Sequence, residues 1–275
     1  MAQYYQKINT LYKRDCNNKN AIIEGDFSMD EFVYLKDCLF SVEEKIDGTN
    51  MSYHIIFNDD GTIADVEIHG KTENAKIPTA LMEKMNYLFN SFASKLSDTF
   101  MRKSVDANSG VEITTWPYKV VIYGEGYGGK IQSGGRYSPT EKFIVFDISV
   151  QGHKDDKEIY LLRDSVVDIC DKLNIDLVYS YGHMTIGNAE KIIKDIAALV
   201  YTVGVNNITK DGLNKAGYDP YFIARMFSNH SIDKNLIIEG FVLKSPIGLM
   251  TRLGKPIVCK IKVKDYVDLM RKQNK

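Results

Sequence analysis

The sequence predicts an α+β fold of two mainly antiparallel sheets with flanking helices. Three observations carry that expectation. Two runs of strand-forming residues, Cys38–Val42 and Met51–Phe57, flank an Asp47-Gly48 turn. From Thr79 to Lys103 the residues Leu81, Met85, Leu88, Phe89, Phe92, Leu96 and Phe100 recur at three- and four-residue spacing, the period of a helix that buries one face. Near the C-terminus, Leu236–Ser245 and Pro256–Val263 read as paired strands around a turn between Gly248 and Gly254. No internal repeat, low-complexity tract or linker divides the 275 residues, so a single domain over 1–275 is expected.

Composition narrows the class. Apolar residues make up 44% of the chain, enough for a sizeable core. Lys and Arg number 35 against 36 Asp and Glu, a net charge of −1, so no overall basic field marks a nucleic-acid partner and any such surface is a local patch. Cys16, Cys38, Cys170 and Cys259 are scattered, with no Cys-x-x-Cys pair and no histidine at ligand spacing, which argues against structural zinc. The first twenty residues are polar and lack a signal core, and no run reaches membrane-spanning length. A cytosolic protein without a membrane partner, in a cell or an infected one, is the expectation.

Taken in order, residues 1–36 show no chemistry, and a short helix is expected over Met29–Asp37 with Ser28 as its cap. Val66–His69 reads as a strand leading into Gly70-Lys71-Thr72. Pro78 opens the long helix, whose aromatic stripe is core. Val120–Tyr123 is an apolar strand that delivers Gly124-Glu125 at its end, and Phe143–Ser149 is another strand. Helical patterns follow over Asp164–Leu173, capped by Arg163 or Asp164, and over Asn188–Val203, capped by Asn188, with a strand at Ile175–Tyr181 between them. Residues 204–234 have little periodicity beyond a short helix near Tyr221–Phe227, and so long an irregular segment is usually functional or covering. A last helix is expected over Lys264–Arg271.

The glycine-rich stretch Gly124–Lys130 fits two phosphate-binding patterns. Gly124-x-Gly126-x-x-Gly129 matches a dinucleotide fingerprint, and Gly124–Lys130 matches all but the last residue of a Walker A loop. Both fail on context: Ile131 stands where a hydroxyl must hold magnesium, and Gln132–Pro139 reads as a loop where either pattern must open a helix. The glycines are read instead as letting the backbone approach a bound nucleotide or substrate end.

The chemistry centres on Glu43-Glu44-Lys45-Ile46-Asp47-Gly48-Thr49-Asn50. Lys45 enters the turn from a strand, at the rim of a sheet. A lysine amine is nucleophilic once deprotonated, which desolvation or neighbouring cations favour. A covalent lysine intermediate suits the position; alone, the motif also reads as a hairpin turn with a solvated lysine. Four further stretches follow in order: Tyr123–Lys130, Phe143–Ile148, Glu239–Lys244 and Cys259–Lys262. Together they add two carboxylates, an aromatic shelf and three lysines.

This ordered set resembles the covalent nucleotidyltransferase superfamily of ATP-dependent polynucleotide ligases and mRNA capping enzymes, matching its motifs I, III, IIIa, IV and V over residues 43–262. Asn50 stands where DNA ligases and capping enzymes usually carry arginine. That form of the first motif, together with Gly-Glu-Gly-Tyr-Gly-Gly-Lys-Ile-Gln, resembles the RNA ligase branch. The resemblance implies a nucleotidyltransferase (ligase adenylylation) domain with the nucleotide in the groove between its sheets, and a member of the ATP-dependent RNA ligase family.

The same resemblance implies the chemistry and its residues. Lys45 attacks the α-phosphorus of ATP to give lysyl-AMP; AMP then moves to a 5′ phosphate and a 3′ hydroxyl displaces it. Lys260, Lys262 and Lys244 face the phosphates with magnesium, for which manganese substitutes. Glu239 contacts the metal, Glu125 the ribose, Phe146 the adenine ring, Glu44 the adenine amine, and Asn50 the nucleotide or transferred phosphate. Asp47 lies beside the lysine, with fixing the turn as its other reading. Lys71 touches the nucleotide or 5′ phosphate or is a solvated turn lysine, and Phe146 keeps a core reading because Phe143 shares its strand. The implied partners are RNA ends or a nicked duplex with a 3′-hydroxyl RNA strand. Only residues 263–275 follow the last motif, where DNA ligases and capping enzymes append an OB domain, so a separate clamp or OB-type partner is expected. DNA nick sealing by a minimal ligase, guanylyl transfer, and a non-catalytic nucleotide- or RNA-end-binding protein of the same fold are the alternatives.

Overall fold

Strands rich in β-branched and aromatic residues build two larger sheets in the computed structural model, which describes residues 5–72, 75–107 and 109–273. The first elements are β1 (Asn9–Thr10), β2 (Tyr12–Asp15), β3 (Ala21–Phe27), α1 (Asp30–Leu35), β4 (Phe40–Lys45), β5 (Thr49–Phe57) and β6 (Ile63–Gly70). Then come α2 (Thr79–Phe100), β7 (Arg102–Val105), β8 (Glu112–Thr115), β9 (Lys119–Gly128), α3 (Gly134–Tyr137), β10 (Glu141–Gln151), β11 (Ile159–Tyr160) and α4 (Arg163–Leu173). The chain continues through β12 (Ser180–Met184), α5 (Ile186–Val203), α6 (Lys210–Lys215), α7 (Pro220–Met226), β13 (Gly240–Lys244), β14 (Val258–Lys262) and α8 (Val263–Gln273). The expected α+β class with antiparallel sheets and flanking helices is what these elements form.

The chain divides into two compact units: Tyr5 with Gly48–Leu177, and Gln6–Asp47 with the chain from Val178 onward. None of the three crossings, after Tyr5, Asp47 and Leu177, is marked by a Pro-, Gly- or Ser-rich linker. In the first unit the sheet runs β11-β10-β9-β5-β6, antiparallel throughout. The α2 stripe of Leu81, Met85, Phe92 and Leu96 packs with Tyr53, Ile55, Ile122 and Phe143, and α4 adds Val166, Ile169 and Leu173. Each such buried side chain stabilises by roughly 1.5–3 kcal/mol. In the second unit the sheet runs β1-β14-β13-β4-β12, with β1 parallel to β14 and the other pairs antiparallel. Its core joins Val42, Phe241, Leu243 and Ile261 to Ile193 and Ile196 of α5, Met226 of α7 and Tyr266 of α8.

Several local expectations change. The Asp47-Gly48 turn closes no hairpin: β4 pairs with β12 and β13, and β5 with β6 and β9. Gly48 is needed for space, since a Cβ there would lie 2.3 Å from the Gly126 carbonyl oxygen. Gly124–Gly128 continue strand β9, and the room at Gly124 and Gly126 is filled by protein: a Cβ would meet the Phe143 ring at 2.4 Å and Leu81 at 2.6 Å respectively. Residues 132–139, expected as loop, hold the single turn α3.

Helix ends moved for identifiable reasons. Ser28 does not cap α1; its hydroxyl donates to the Thr10 carbonyl at 2.6 Å, and Met29 precedes the helix. Thr185, not Asn188, caps α5, because the Thr185 hydroxyl accepts the Asn188 amide. Leu162 stands at the cap position of α4, so Arg163 and Asp164 lie inside that helix. Helix α2 stops at Phe100, and Arg102 starts a strand. The expected strand Ile175–Tyr181 is shared out: Ile175 packs in the first core, Leu177 makes a single parallel bridge to Val145, the crossing falls after Leu177, and β12 begins at Ser180. Residues 204–234 contain α6 and α7, capped by Thr209 and Asp219, the latter followed by Pro220 at the start of the helix.

Candidate active site

Strand parity builds one half of the site. In β4, Phe40 and Val42 enter the core, so Ser41, Glu43 and Lys45 take the opposite face. The same alternation in β13 buries Phe241 and Leu243, leaving Val242 and Lys244, and in β14 it buries Cys259 and Ile261, leaving Lys260 and Lys262. Register then aligns them in rows across β4, β13 and β14: Lys45, Gly240 and Lys262 in one, Glu43, Val242 and Lys260 in the next. Gly240 puts no side chain between the two lysines, and a Cβ there would lie 2.0 Å from the Ile261 carbonyl oxygen.

Glu239 precedes that glycine and joins the row. Lys45 Nζ donates to Glu239 Oε2 at 2.6 Å, and Lys262 Nζ pairs with Oε1 at 2.7 Å. Lys45 and Glu239 side chains keep only 19% and 18% of their exposure, so this is a largely desolvated pairing that water screens weakly. Lys244 Nζ pairs with Glu43 at 3.0 Å, where Glu43 retains 2% exposure. Five of the six charged groups on this face were singled out from sequence. Glu43 was not assigned a role, although its position two residues before Lys45 on a strand puts it on the same face.

Glu44 points the other way, toward the side of Phe241. Its carboxylate accepts the Ser228 hydroxyl at 2.5 Å and the Asn229 amide at 3.0 Å. Burial raises its pKa above the usual carboxylate value, while the donors from Ser228, Asn229 and Tyr181 pull it back. Ser228 and Asn229 come from the segment without periodicity, and no spacing signal led to them. Asp47 is half-buried directly after Ile46, which is core-like at 3% exposure.

The first unit carries the remaining expected residues on its own sheet. Asn50 of β5 and Glu125 of β9 are register partners, both half-buried. Lys71 is exposed, one residue beyond the Met51–Gly70 pair at the same end of β5. Phe146 sits in a bulge of β10, the extra residue between Val145, opposite Gly124, and Asp147, opposite Tyr123. A bulge re-aims its side chain. Phe143 is buried in the core against Tyr53, whereas Phe146 belongs to neither core and meets the Tyr5 ring edge-on at 4.9 Å. Tyr5 also donates its hydroxyl to Asp147 at 2.9 Å.

The same sheet buries a polar pair that sequence reading passed over. Ser52 Oγ lies 3.0 Å from His54 Nε2, and the His54 ring lies 4.5 Å from that of His69, which pairs with Glu67 at 2.8 Å. Burial first, then Lys119 and His69, pushes His54 down to about 3.

Among the described residues, no group of three or more His, Cys, Asp or Glu is arranged to hold a metal ion. Two carboxylates, Glu239 and the buried Glu43, stand among four lysines, a sparse donor set that fits a magnesium-type ion taking most of its oxygens from water and substrate phosphates. No described helix is long and apolar enough to cross a membrane.

No curated protein sequence matches the chain. Solved structures of the Naegleria gruberi RNA ligase share its fold. A pyrophosphate complex aligns with TM-score 0.53 at 14% identity, over 97% of this chain and 58% of that one. A mutant with ATP and manganese aligns with TM-score 0.51 at 15% identity, over 97% and 57%. The chain therefore spans little more than half the length of these structures. The RNA ligase family model matches residues 39–262, from the strand that presents Lys45 to the row that ends at Lys262, and the chain belongs to the RNA ligase family.

Proposed function

We propose that the protein is an ATP-dependent RNA ligase that joins 3′-hydroxyl and 5′-phosphate ends through lysyl-AMP. The observation that carries this reading is the row Lys45–Gly240–Lys262 bridged by Glu239, in a chain of this family. Lys45 Nζ attacks the α-phosphorus of ATP; an N–P bond forms, the bond to the β-phosphate oxygen breaks, and pyrophosphate leaves. The proton on Nζ moves toward Glu239 Oε2, its contact at 2.6 Å. Lys262, Lys260 and Lys244 offset charge that builds on the phosphate oxygens. A divalent ion, magnesium or manganese, supplies further positive charge when bound, with Glu239 its protein carboxylate.

On the first unit, Glu125 takes the ribose hydroxyls and Phe146 the adenine face, which its bulge and its exclusion from the core support. Asn50, the register partner of Glu125, contacts the nucleotide or the transferred phosphate, and Lys71 a phosphate. Glu44 contacts the adenine amine, which takes the place of one of the donors from Ser228, Asn229 and Tyr181 that hold its carboxylate. Asp47 fixes the approach to Gly48. AMP next passes from Lys45 to the 5′ phosphate of an RNA end, freeing the amine, and the 3′ hydroxyl attacks that phosphate with AMP as leaving group. A separate clamp for the RNA belongs to the same proposal, and nick affinity that fails to rise with candidate partners counts against it.

The test is incubation with magnesium and α-phosphorus-labelled ATP, beside GTP and Lys45→Ala. Label from ATP that survives denaturation and is lost in the variant is expected. No label, in protein shown by intact mass to carry no AMP beforehand, sinks the reading in favour of a binding protein.

A further inference from the structure

One surface of the second unit stands out from the rest of the chain in charge. Between Gly240 and Lys264 lie Lys244, Arg252, Lys255, Lys260, Lys262 and Lys264 and no Asp or Glu, in a chain whose net charge is −1. Lys244 and Lys262 are matched by Glu43 and Glu239. Arg252 and Lys255 are exposed on the hairpin that joins β13 to β14, and among the described residues neither side chain has an ion-pair partner.

The hairpin also exposes apolar surface: Ile247 is 71% and Leu253 84% exposed. It is an ordered element. Thr251 N donates to the Lys255 carbonyl at 2.8 Å, Ile257 N to that of Leu249 at 3.0 Å, and Met250 bridges Pro256. Its two turns place Gly248 and Gly254 at φ of 67° and 71°, left-handed geometry that glycine adopts without strain. Such a braced loop loses little freedom on binding.

We propose that residues 245–257 form an RNA-docking arm, with Arg252 and Lys255 on backbone phosphates and Ile247 and Leu253 against the ribose and base edges of the same strand. The inference rests on the ligase reading for its choice of RNA. Exposed aliphatic residues alone would suit a protein partner; unmatched cations in a run without acids select a polyanion. The wide minor groove of duplex RNA presents ribose edges that side chains of this size reach. Continuity adds to the argument, because the arm's two strands carry Lys244 at one end and Lys260 and Lys262 at the other.

The experiment compares the full chain with Arg252→Ala/Lys255→Ala and with Ile247→Ser/Leu253→Ser. Two quantities are read: lysyl-AMP formed from labelled ATP without RNA, and affinity for a nicked RNA duplex bearing a 5′ phosphate across a salt series. The charge variant is expected to bind about tenfold or more weakly and to lower the slope of log affinity against log salt by about 2. The apolar variant is expected to bind more weakly at unchanged slope. Both are expected to form lysyl-AMP at the wild-type rate, which also shows that they fold. RNA affinity and slope equal to wild type in the charge variant overturn the proposal and reassign the arm to a protein partner. Absence of lysyl-AMP in the wild-type chain overturns the ligase reading instead, a separate readout from the salt series.

Discussion

At the residue scale, the pairing of Lys45 with Glu239 makes the clearest demand. Glu239→Gln keeps the shape of the side chain and removes the charge that contacts both Lys45 and Lys262. Lysyl-AMP formation is expected to slow by roughly a hundredfold or more, in the range seen when a positioned proton acceptor is lost, and single-turnover labelling measures it. His54 carries the second demand. Its pKa falls to about 3 through burial, with Lys119 and His69 adding to the effect, while the unfolded value stays near 6.5. Between those values the unfolded chain binds the extra proton, so stability falls as pH drops through this window. Urea unfolding at pH 7 and pH 5 is expected to show a loss of about 2 kcal/mol from this group, absent in His54→Asn. An equal loss in the variant counts against the assignment. The other site residues were legible because each belongs to a short local pattern. Ser228 and Asn229 were not, since their partner Glu44 lies far away in sequence and only folding brings them together.

At the scale of the element, capping decides where helices begin, and neighbouring polar residues compete for the position. Thr185-Ile186-Gly187-Asn188 offers two good cap residues. The structure uses Thr185, so Thr185→Ala is expected to cost about 1 kcal/mol and Asn188→Ala only a few tenths, as read from thermal or urea unfolding. The reverse order would restore Asn188 as the cap. Helix existence was readable from period, as α2, α4, α5 and α8 attest, but boundaries turn on single hydrogen bonds. The same holds for Ser28, whose hydroxyl found the Thr10 carbonyl of a neighbouring strand instead of its own helix. Strand β9 ran past its expected end because Phe143 and Leu81 fill the space that its glycines leave open.

At the scale of the whole molecule, the chain has two hydrophobic cores. Phe92 lies in one and Phe241 in the other, both with no exposed surface. Truncating either to alanine is expected to cost about 3–5 kcal/mol. Hydrogen exchange is expected to separate the two: Phe92→Ala loosens β5, β9 and β10, and Phe241→Ala loosens β4, β13 and β14. Protection lost equally in both units by either variant would show one cooperative body in place of two.

The sequence by itself determined the class of the fold, the long helices, the pairing of the last two strands and the ordered motifs that lead to the RNA ligase family. These depend on residue type and short spacing, which local periodicity records. Only the tertiary structure decided that β4 and β5 part into different sheets at Asp47-Gly48, that Gly240 aligns Lys45 with Lys262, and that Phe146 is turned out of the core by a bulge. Each of these depends on which distant strand supplies the backbone partner, and a turn or a strand pattern is the same whichever partner it meets.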